Sequence, residues 1–512
     1  MVIVINLHRG YFFAVGVALL AAGCVTAQAA MPQPARNVVP AAATAEPTAT
    51  TPAPTPVPTL PPPTPTVAAP AAESATDNFY RSQPGDTVPA LAGRFGVSEG
   101  DLRASNPTLP MTGRLVAPGS KLLVTMFDFG MAPQPQVIPD NAFVYGPLQD
   151  LYPVTNDAAQ ASPWLASVRD KDGDTYRADG WQVLQKAART YSINPRLLLA
   201  LLEYESGLYT GNTPTKEQEA YPFGLRDWQD AGFSNQVRAT ALLLNEGYYG
   251  WRAGTLRSLT LADGWVWRLD PRLNAGSVAL YNLLAQFSSL PEFERAVGPN
   301  GIKATLQSLF GEAAPYNVDL LPATLQQPQW QLPFTDGVIW NFTGGPHPVI
   351  GDSQPWGAVD FAPGLTYAGC DISGDWVTAV ADGVVARIND GVLMLDLDGD
   401  GRETTGWVMM YVHMEVDTVN IIEGKQVRAG TRLGHPGCAG ETRSTSTHVH
   451  LARKYNGEWI AADGPLPFEL GGWRAIAGAK IYQGKLVSAR LGSELEACMC
   501  VADNQVLSAS VP

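Results

Sequence analysis

The segment Ser444–Ile460, STSTHVHLARKYNGEWI, holds two of the six histidines in this 512-residue chain. Side chains two residues apart in a β-strand lie on the same face, so His448 and His450 are predicted to project side by side. His347, His413 and His435 fall in the same C-terminal region, leaving a single histidine elsewhere. Imidazole and carboxylate are ligands that zinc favours, so this clustering predicts a metal site in a strand-rich region.

The overall composition predicts several folded domains and argues against nucleic acid as a partner. The chain is 45% hydrophobic and 16% charged, with a net charge of −14. A chain of this length exceeds the usual size of one domain. No basic excess is present to bind a polyanion.

The first 77 residues are predicted to lie outside any folded core. Residues 1–24 place Arg9 before a short apolar run that ends in LAAGC at Cys24, a pattern typical of an exported protein. LAAGC resembles a bacterial lipobox, which implies lipidation of Cys24 and a membrane-anchored lipoprotein facing the cell wall outside the cytoplasm. Cleavage of an ordinary secretory signal is the alternative. Residues 25–77 are rich in Pro, Thr and Ala and are expected to form an extended tether.

Residues 78–126 are predicted to form a strand, two helices and a second strand. Asp86 is a candidate N-cap of the first helix, and Ser98 with Asp101 predicts the start of the second. The stretch PGDTVPALAGRFGVSEGDLRASNP, residues 84–107, resembles a LysM module. That resemblance implies a small α/β (βααβ) fold that binds the N-acetylglucosamine glycan of peptidoglycan.

Residues 138–314 show helical periodicity, with Pro195 suited to the first turn of one helix. The segment INPRLLLALLEYESGLYTG, residues 193–211, resembles the catalytic helix of lysozyme-like lytic transglycosylases. The resemblance implies that Glu205 protonates a glycosidic oxygen. The alternative is that Glu203 and Glu205 are solvated helix carboxylates.

Residues 315–332 form a predicted linker, and residues 333–482 switch to short strands with Gly and Asp turns, typical of an antiparallel β-domain. Residues 483–512 are weakly patterned and are expected to be a tail. Within the β-domain, GAVDFAPG, MYVHM, QVRAGTRLGHPG and THVHLA occur in the order found in lysostaphin-type zinc endopeptidases of peptidoglycan cross-bridges. The domain therefore resembles that family, which implies a duplicated hybrid motif fold.

The family resemblance implies roles for four side chains of the β-domain. Asp360 and His450 match the zinc ligands, and His413 and His448 match the catalytic histidines that do not bind the metal. His435 lies in a predicted turn and is expected to be an ordinary turn or surface residue.

The first zinc ligand departs from the family pattern. The family usually carries it four residues before the aspartate, where this chain has Trp356. We expect His347 to supply that ligand, with residues 348–357 forming an inserted loop.

The cysteines of the β-domain suggest one disulfide. Cys370 and Cys438 are the favoured pair among three possible connectivities, because both fall in this domain and an exported protein meets an oxidising compartment.

An aspartate-rich loop in the same domain matches part of a calcium-binding pattern. Asp396, Asp398 and Asp400 match the first ligands of a calcium loop, but position twelve is Trp407. Hairpin-turn chemistry is favoured there over Ca²⁺.

Three functional hypotheses follow from these residues. The first is a zinc endopeptidase of peptidoglycan cross-links, targeted to the glycan by the LysM-like module. The second is a catalytically degenerate wall-binding or activator protein, for which Trp356 is the main support. The third is a dual enzyme that also cleaves glycan strands through Glu205.

Overall fold

A computed structural model describes residues 78–507 apart from several short gaps. Cys24 and the predicted signal and tether lie outside the described residues. The gaps are residues 111–113, 126, 128–131, 152, 155–161, 173–175, 212, 312–317, 365–368, 441–443 and 500–503.

The module that begins at residue 78 has the predicted order of strand, helix, helix and strand. Strands β1 (Phe79–Arg81) and β2 (Lys121–Leu123) pair antiparallel around helices α1 (Val88–Phe95) and α2 (Glu99–Ser105). The start of α2 is confirmed, since the Ser98 hydroxyl accepts from the Asp101 amide at 3.0 Å.

The predicted cap of α1 is wrong by one residue. Thr87, not Asp86, caps this helix. Asp86 is instead buried and accepts hydrogen bonds at 2.7 Å from Tyr80 and Arg94, so this carboxylate stabilises the module's own core.

The helical region follows the predicted periodicity. Its helices are α3 (Asp140–Phe143), α4 (Pro147–Leu151), α5 (Pro163–Ser167), α6 (Gly180–Thr190), α7 (Pro195–Ser206), α8 (Lys216–Ala220), α9 (Phe233–Ala253), α10 (Ala275–Ala285), α11 (Leu290–Val297) and α12 (Ile302–Phe310). Two small hairpins accompany them: β3 (Arg169–Asp172) with β4 (Tyr176–Asp179), and β5 (Ser258–Thr260) with β6 (Val266–Arg268).

Helix α7 carries the glutamate segment singled out in the sequence. It begins after Asn194, whose side chain accepts from the Arg196 amide, and ends at Gly207 in the left-handed conformation. These two caps place Glu205 in the last turn of the helix.

The C-terminal region is an antiparallel β-domain, as predicted. Its strands are β7 (Ile339–His347), β8 (Ala358–Pro363), β9 (Val377–Thr378), β10 (Gly383–Asn389), β11 (Val392–Asp396), β12 (Trp407–Val412), β13 (Met414–Val416), β14 (Gln426–Val427), β15 (Arg432–Pro436), β16 (Val449–Tyr455), β17 (Glu458–Trp459), β18 (Glu469–Leu470), β19 (Trp473–Ala477), β20 (Gly484–Ser488), β21 (Ser493–Glu496) and β22 (Gln505–Leu507). A nine-stranded sheet has the order β14-β10-β11-β12-β16-β8-β7-β22, with β17 beside β16. A three-stranded sheet has the order β13-β15-β9, and a four-stranded sheet runs from β18 to β21.

Residues after 482 differ from the expected tail. They supply β20 and β21, and β22 pairs with β7 in the large sheet. Their alternation is short and interrupted by turns, which explains the weak sequence pattern. The segment nevertheless completes an edge of the sheet that carries His347.

The helical region and the β-domain share one hydrophobic core. A buried ionic cluster lies between them, in which Arg252 of α9 contacts Glu458 of β17 at 2.8 Å and Asp140 of α3 at 3.1 Å. Tyr248 of α9 also donates to Glu458, at 3.0 Å. The two regions therefore form one packed unit.

Within the part of the chain that the structure describes, none of the helices is both long and apolar enough to cross a membrane.

Candidate metal centre

Three side chains from separate elements converge at one edge of the large sheet. His347 ends β7, Asp360 lies in β8 and His450 lies in β16, where His450 pairs with Asp360 across the ladder. Asp360 Oδ1 is 3.4 Å from His347 Nε2 and 3.2 Å from His450 Nδ1. The arrangement has the ligand set and spacing of a cation site.

The surrounding carbonyls fix which ring nitrogens face inward. His347 donates from Nδ1 to Gly345 O at 2.8 Å, and His450 donates from Nε2 to Val349 O at 3.1 Å. In the neutral rings the inward nitrogens therefore carry lone pairs, and they lie only 3.0 Å apart. Two lone pairs at that distance repel each other unless a positive species lies between them.

The carboxylate oxygen completes the donor set. Asp360 Oδ1 is buried and has no hydrogen-bond donor among the described residues. A buried anionic oxygen and two inward lone pairs fit a divalent metal ion, and the carbonyls behind the imidazoles orient them as the outer partners of metal-bound histidines do.

The pKa values agree with a charged, desolvated cluster. Burial alone would raise the pKa of Asp360, but the neighbouring His347 and His448 hold it well below its usual range. Burial would likewise lower the pKa of His347, and the Asp360 carboxylate outweighs it to raise that pKa. Burial lowers the pKa of His450. Asp360 is therefore ionised, as a metal ligand must be.

The approach of β7 to Asp360 explains why position 344 of the TGGPH segment is a glycine. A Cβ atom at this position would lie 2.4 Å from Asp360 Oδ2. Since real atoms do not approach so closely, any larger residue would displace the carboxylate. The glycine allows β7 to approach β8 closely at the centre.

His413 and His448 flank this centre without joining the three-residue cluster. Their ring centroids are 4.7 Å apart, and His448 Nε2 lies 3.7 Å from Asp360 Oδ1. Each donates from Nδ1 at 2.8 Å to a backbone carbonyl, of Ala439 and Ser446 respectively. The Nε2 lone pair of each ring is therefore its proton acceptor.

His413 is unusual in both its charge state and its backbone. Burial, together with His448 and His450, lowers the pKa of His413 to about 3. Its φ of +66° is an uncommon conformation for a non-glycine residue and one that clusters at functional sites. Both features agree with a residue placed for chemistry.

Tyr482 belongs to the site but was not identified from sequence. Its ring stacks on His347 with centroids 4.2 Å apart, and its carbonyl accepts from the Gly345 amide at 2.9 Å. Tyr482 lies in the connection between β19 and β20, and the fold of this hairpin brings it to His347. A lone tyrosine in a weakly patterned segment carries no signal of that contact.

The loop after His347 contacts the cluster through Val349 O, whereas the remaining histidine of the β-domain lies away from it. Residues 348–357 leave and rejoin the sheet, and the Trp356 carbonyl accepts from the Ala462 amide. His435 lies in β15, not in the predicted turn, because its strand pairs with β9 and β13; its ring packs on Trp376 at 3.9 Å. His435 is thus separate from the metal centre, as expected.

Glu205 occupies a different environment from Glu203. Glu203 accepts hydrogen bonds from the amide and hydroxyl of Thr210 at 2.9 and 2.6 Å. Glu205 is packed against Gly224, at which a Cβ atom would lie 3.1 Å from Glu205 Oε2. Burial raises the pKa of Glu205 to about 7. Glu205 is half-buried, and its raised pKa favours a desolvated carboxyl group over the alternative of a solvated helix carboxylate.

The aspartate loop and the cysteines occupy the predicted regions of the β-domain. Asp396 ends β11, and Asp398 and Asp400 lie in the turn that follows; the three are close enough together to hold a cation. Asp396 already accepts from three amides of its own loop, which is the bonding of a tight turn. Cys370 and Cys438 form a disulfide, the pairing that the sequence favoured.

Comparison with known proteins relates the chain to proteases. The family description "LasA, N-terminal domain" matches residues 136–323, which overlap the region predicted from sequence to be lysozyme-like. Protease LasA of Pseudomonas aeruginosa, in strains PAO1 and UCBPP-PA14, is 28% identical over 369 residues, covering 67% of this chain and 78% of the relative.

Two solved structures show partial similarity to the chain. The M23 metalloprotease pseudoalterin from the deep sea is 22% identical, with a TM-score of 0.27 over 33% of this chain and 96% of that one. The catalytic domain of lysostaphin from Staphylococcus simulans is 23% identical, with a TM-score of 0.17 over 24% of this chain and 87% of that one.

The donor cluster and the LasA relatives together define the protein as a metalloendopeptidase. Residues 136–323 match the LasA N-terminal description, and most of the chain is similar to Protease LasA.

Proposed function

We propose that this protein is a zinc-dependent endopeptidase that cleaves the peptide cross-links of peptidoglycan. The observation that carries the proposal is the convergence of His347, Asp360 and His450, with both imidazoles held so that their lone pairs face the carboxylate oxygen. The name of the LasA relatives supports proteolysis. A donor set of two imidazoles and one carboxylate is typical of a catalytic zinc site.

Zinc in such a site supplies Lewis-acid polarisation of the scissile carbonyl and activation of the attacking water. The chain's own residues supply proton transfer. His413 and His448 each keep a proton on Nδ1 and use Nε2 as the acceptor. One ring accepts the proton of the attacking water at Nε2 and, as the resulting imidazolium, delivers that proton from Nε2 to the leaving amine. The other ring can donate to the developing oxyanion only when its own Nε2 carries a proton.

The low pKa of His413 supports assigning it a neutral resting state. A ring whose pKa is lowered to about 3 by burial carries no proton on Nε2 near neutral pH. The same low pKa makes its Nε2 a weak base, because a general base is most effective when its pKa lies near the working pH. We propose that His413 and His448 act together as the proton-transfer pair.

The test combines metal analysis with hydrolysis of purified muropeptides. We expect stoichiometric zinc, release of new amino termini, and loss of both after treatment with a chelator. Restoration of hydrolysis by added Zn²⁺ would exclude simple unfolding. Zinc-free protein that cleaves no cross-link, in a fold shown by circular dichroism to be intact, would favour the non-catalytic wall-binding hypothesis.

A second candidate activity is cleavage of the glycan strand by Glu205. The specific observation in its favour is a carboxyl group at the end of α7 whose pKa is raised by burial to about 7, next to Gly224. Such a group is protonated over part of the neutral range and can act as a general acid. Release of sugar products that disappears in Glu205→Gln, while peptide hydrolysis continues, would support it. Absence of sugar products from the wild type would remove it.

We also propose that residues 78–126 direct the enzyme to glycan and that lipidated Cys24 tethers it to the membrane, with secretion as the alternative. A binding module joined to an enzyme raises the effective concentration of the enzyme at a polymer. Pull-down on insoluble peptidoglycan, with and without residues 1–126, tests the first point. Labelling with an alkyne-bearing fatty acid in the wild type and in Cys24→Ser tests the second.

A further inference from the structure

The segment between β15 and β16 supports both non-ligand histidines. Ala439 O accepts from His413 Nδ1, and Ser446 O accepts from His448 Nδ1, each at 2.8 Å. Ser444 Oγ lies 3.2 Å from His448 Nδ1. Since a carbonyl can only accept, these contacts assign the Nδ1–H tautomer to both rings. The orientation of the two rings thus depends on where this segment lies.

Most contacts that hold the described part of this segment reach residues 369–371. The Cys370–Cys438 disulfide joins the two stretches at a Cα–Cα distance of 5.3 Å. Thr447 donates from its amide to Gly369 O at 3.0 Å and from its hydroxyl to Asp371 O at 2.5 Å. These links fasten the segment at both of its ends.

The segment has little pairing with the sheets to replace those links. In its described part, one antiparallel bridge joins its two ends, Gly437 and His448. Such a bridge fixes the distance between the two ends of the loop, but it does not fix the position of the loop against residues 369–371. That position depends on the disulfide, on Thr447, and on the Gly437 amide, which donates to His413 O at 2.6 Å.

The three metal-ligand candidates are anchored elsewhere. His347 is oriented by Gly345 O within β7, and His450 by Val349 O in the following loop. Asp360 lies within the paired strand β8. Loss of the disulfide removes a constraint on His413 and His448 and leaves these anchors intact.

We propose that the Cys370–Cys438 disulfide, with Thr447, is a positioning element for the proton-transfer pair. It holds the Ala439 and Ser446 carbonyls where they impose one tautomer and one orientation on the two rings. The proposal rests on the proposed function, since it concerns the two histidines assigned there to proton transfer. The disulfide acts through the histidines and does not itself touch the substrate.

The decisive variant is the double substitution Cys370→Ala/Cys438→Ala in the full chain, because a single substitution would leave a free thiol that can bind zinc. Four quantities are compared with the wild type: zinc per chain, kcat and KM on a muropeptide, and the tautomers of the histidine rings by NMR of selectively ¹⁵N-histidine-labelled protein.

The expected result is a loss of turnover without a loss of metal. We expect stoichiometric zinc, a KM within about threefold, and kcat reduced at least about tenfold, since positioned acid–base groups contribute about 10²- to 10⁴-fold. The ¹⁵N spectra are expected to change from pure Nδ1–H forms to tautomer mixtures at two rings.

Thr447→Val is the second variant, in case the double variant does not fold. It keeps the disulfide but removes the hydroxyl bond to Asp371 O, so we expect the same change in smaller degree. Ser493→Ala is the matched control, because it also removes one hydroxyl bonded to a backbone carbonyl, that of Leu491, but in the four-stranded sheet. We expect no change in kcat or in the tautomers of this control.

The results of these variants separate the positioning role of the disulfide from a role in holding the metal. Unchanged kcat and unchanged tautomers in the folded double variant would overturn the proposal. Loss of zinc would also overturn it, because the disulfide would then support the metal site itself. If neither wild type nor variant cleaves muropeptides, the proposed function fails, and the tautomer comparison alone still tests the positioning role.

Discussion

Replacing Arg252 by methionine is predicted to destabilise the protein strongly. This residue lies between the helical region and the β-domain, outside the metal centre. The guanidinium contacts Glu458 at 2.8 Å and Asp140 at 3.1 Å, and the Arg252 and Glu458 side chains are 10% and 3% exposed. Methionine has a similar length but no charge, so two carboxylates would remain in a poorly solvated interface without this cation. Breaking a buried pair in this way costs about 3–5 kcal/mol.

The expected fall in melting temperature is about 6–20 °C, from roughly 2–4 °C per kcal/mol for domains of 150–250 residues. Differential scanning calorimetry measures it. The matched control is Arg226→Met, which removes an ion pair of similar length, 2.9 Å, whose side chains are 63% and 66% exposed. An exposed pair contributes less than about 1 kcal/mol, so the control should melt close to the wild type.

The pH dependence provides an independent check. Burial raises the pKa of Glu458, while Arg252 acts to lower it. A raised folded-state pKa contributes stability below the unfolded pKa and loses it as pH rises. The deficit of Arg252→Met should therefore be larger at pH 8 than at pH 5, and adding Glu458→Gln should recover part of it. Equal melting temperatures of Arg252→Met and Arg226→Met at pH 8 would refute the reasoning.

Three further predictions concern the two candidate sites. Tyr482→Ala removes the ring stacked on His347 and should weaken zinc binding about 10-fold in a chelator-competition titration, whereas Tyr482→Phe should not; equal affinities would contradict the role of the ring. Gly344→Ala places a methyl group against Asp360 and should weaken zinc about 10- to 100-fold in the same titration, so wild-type affinity would count against the geometry. The pKa of Glu205 is raised to about 7, so its contribution to stability is present below about pH 4.5 and is lost as the pH rises through 7. In urea unfolding, Glu205→Gln should therefore match the wild-type free energy of unfolding at pH 4 and exceed it by about 1–2 kcal/mol at pH 8. A difference that does not change with pH would be the opposing result.

Much of the centre could be predicted from the sequence because strand alternation is a local rule. The spacing of His448 and His450 follows from period two, and both reach the Asp360 carboxylate. The β-domain was predictable from short alternating runs and Gly/Asp turns. His347 was a harder inference, because the loop that separates it from β8 gives no indication of where the chain returns.

Other features depend on long-range packing that no local pattern encodes. Tyr482 reaches His347 only through a hairpin, and β22 pairs with β7 although nearly the whole β-domain separates them in the chain. An aspartate just before a helix usually caps it, which is why Asp86 was predicted as an N-cap. Its side chain instead forms a buried ion pair with Arg94. The carbonyls that set the histidine tautomers are backbone groups, which sequence patterns do not distinguish.

The central claim is that His347, Asp360 and His450 hold one catalytic zinc ion, and zinc content measured together with muropeptide hydrolysis in His347→Ala tests it most directly. His435→Ala is the matched control, because His435 packs on Trp376 away from the centre. We expect His347→Ala to lose both zinc and hydrolysis and His435→Ala to keep both. Full zinc and full activity in His347→Ala would contradict it.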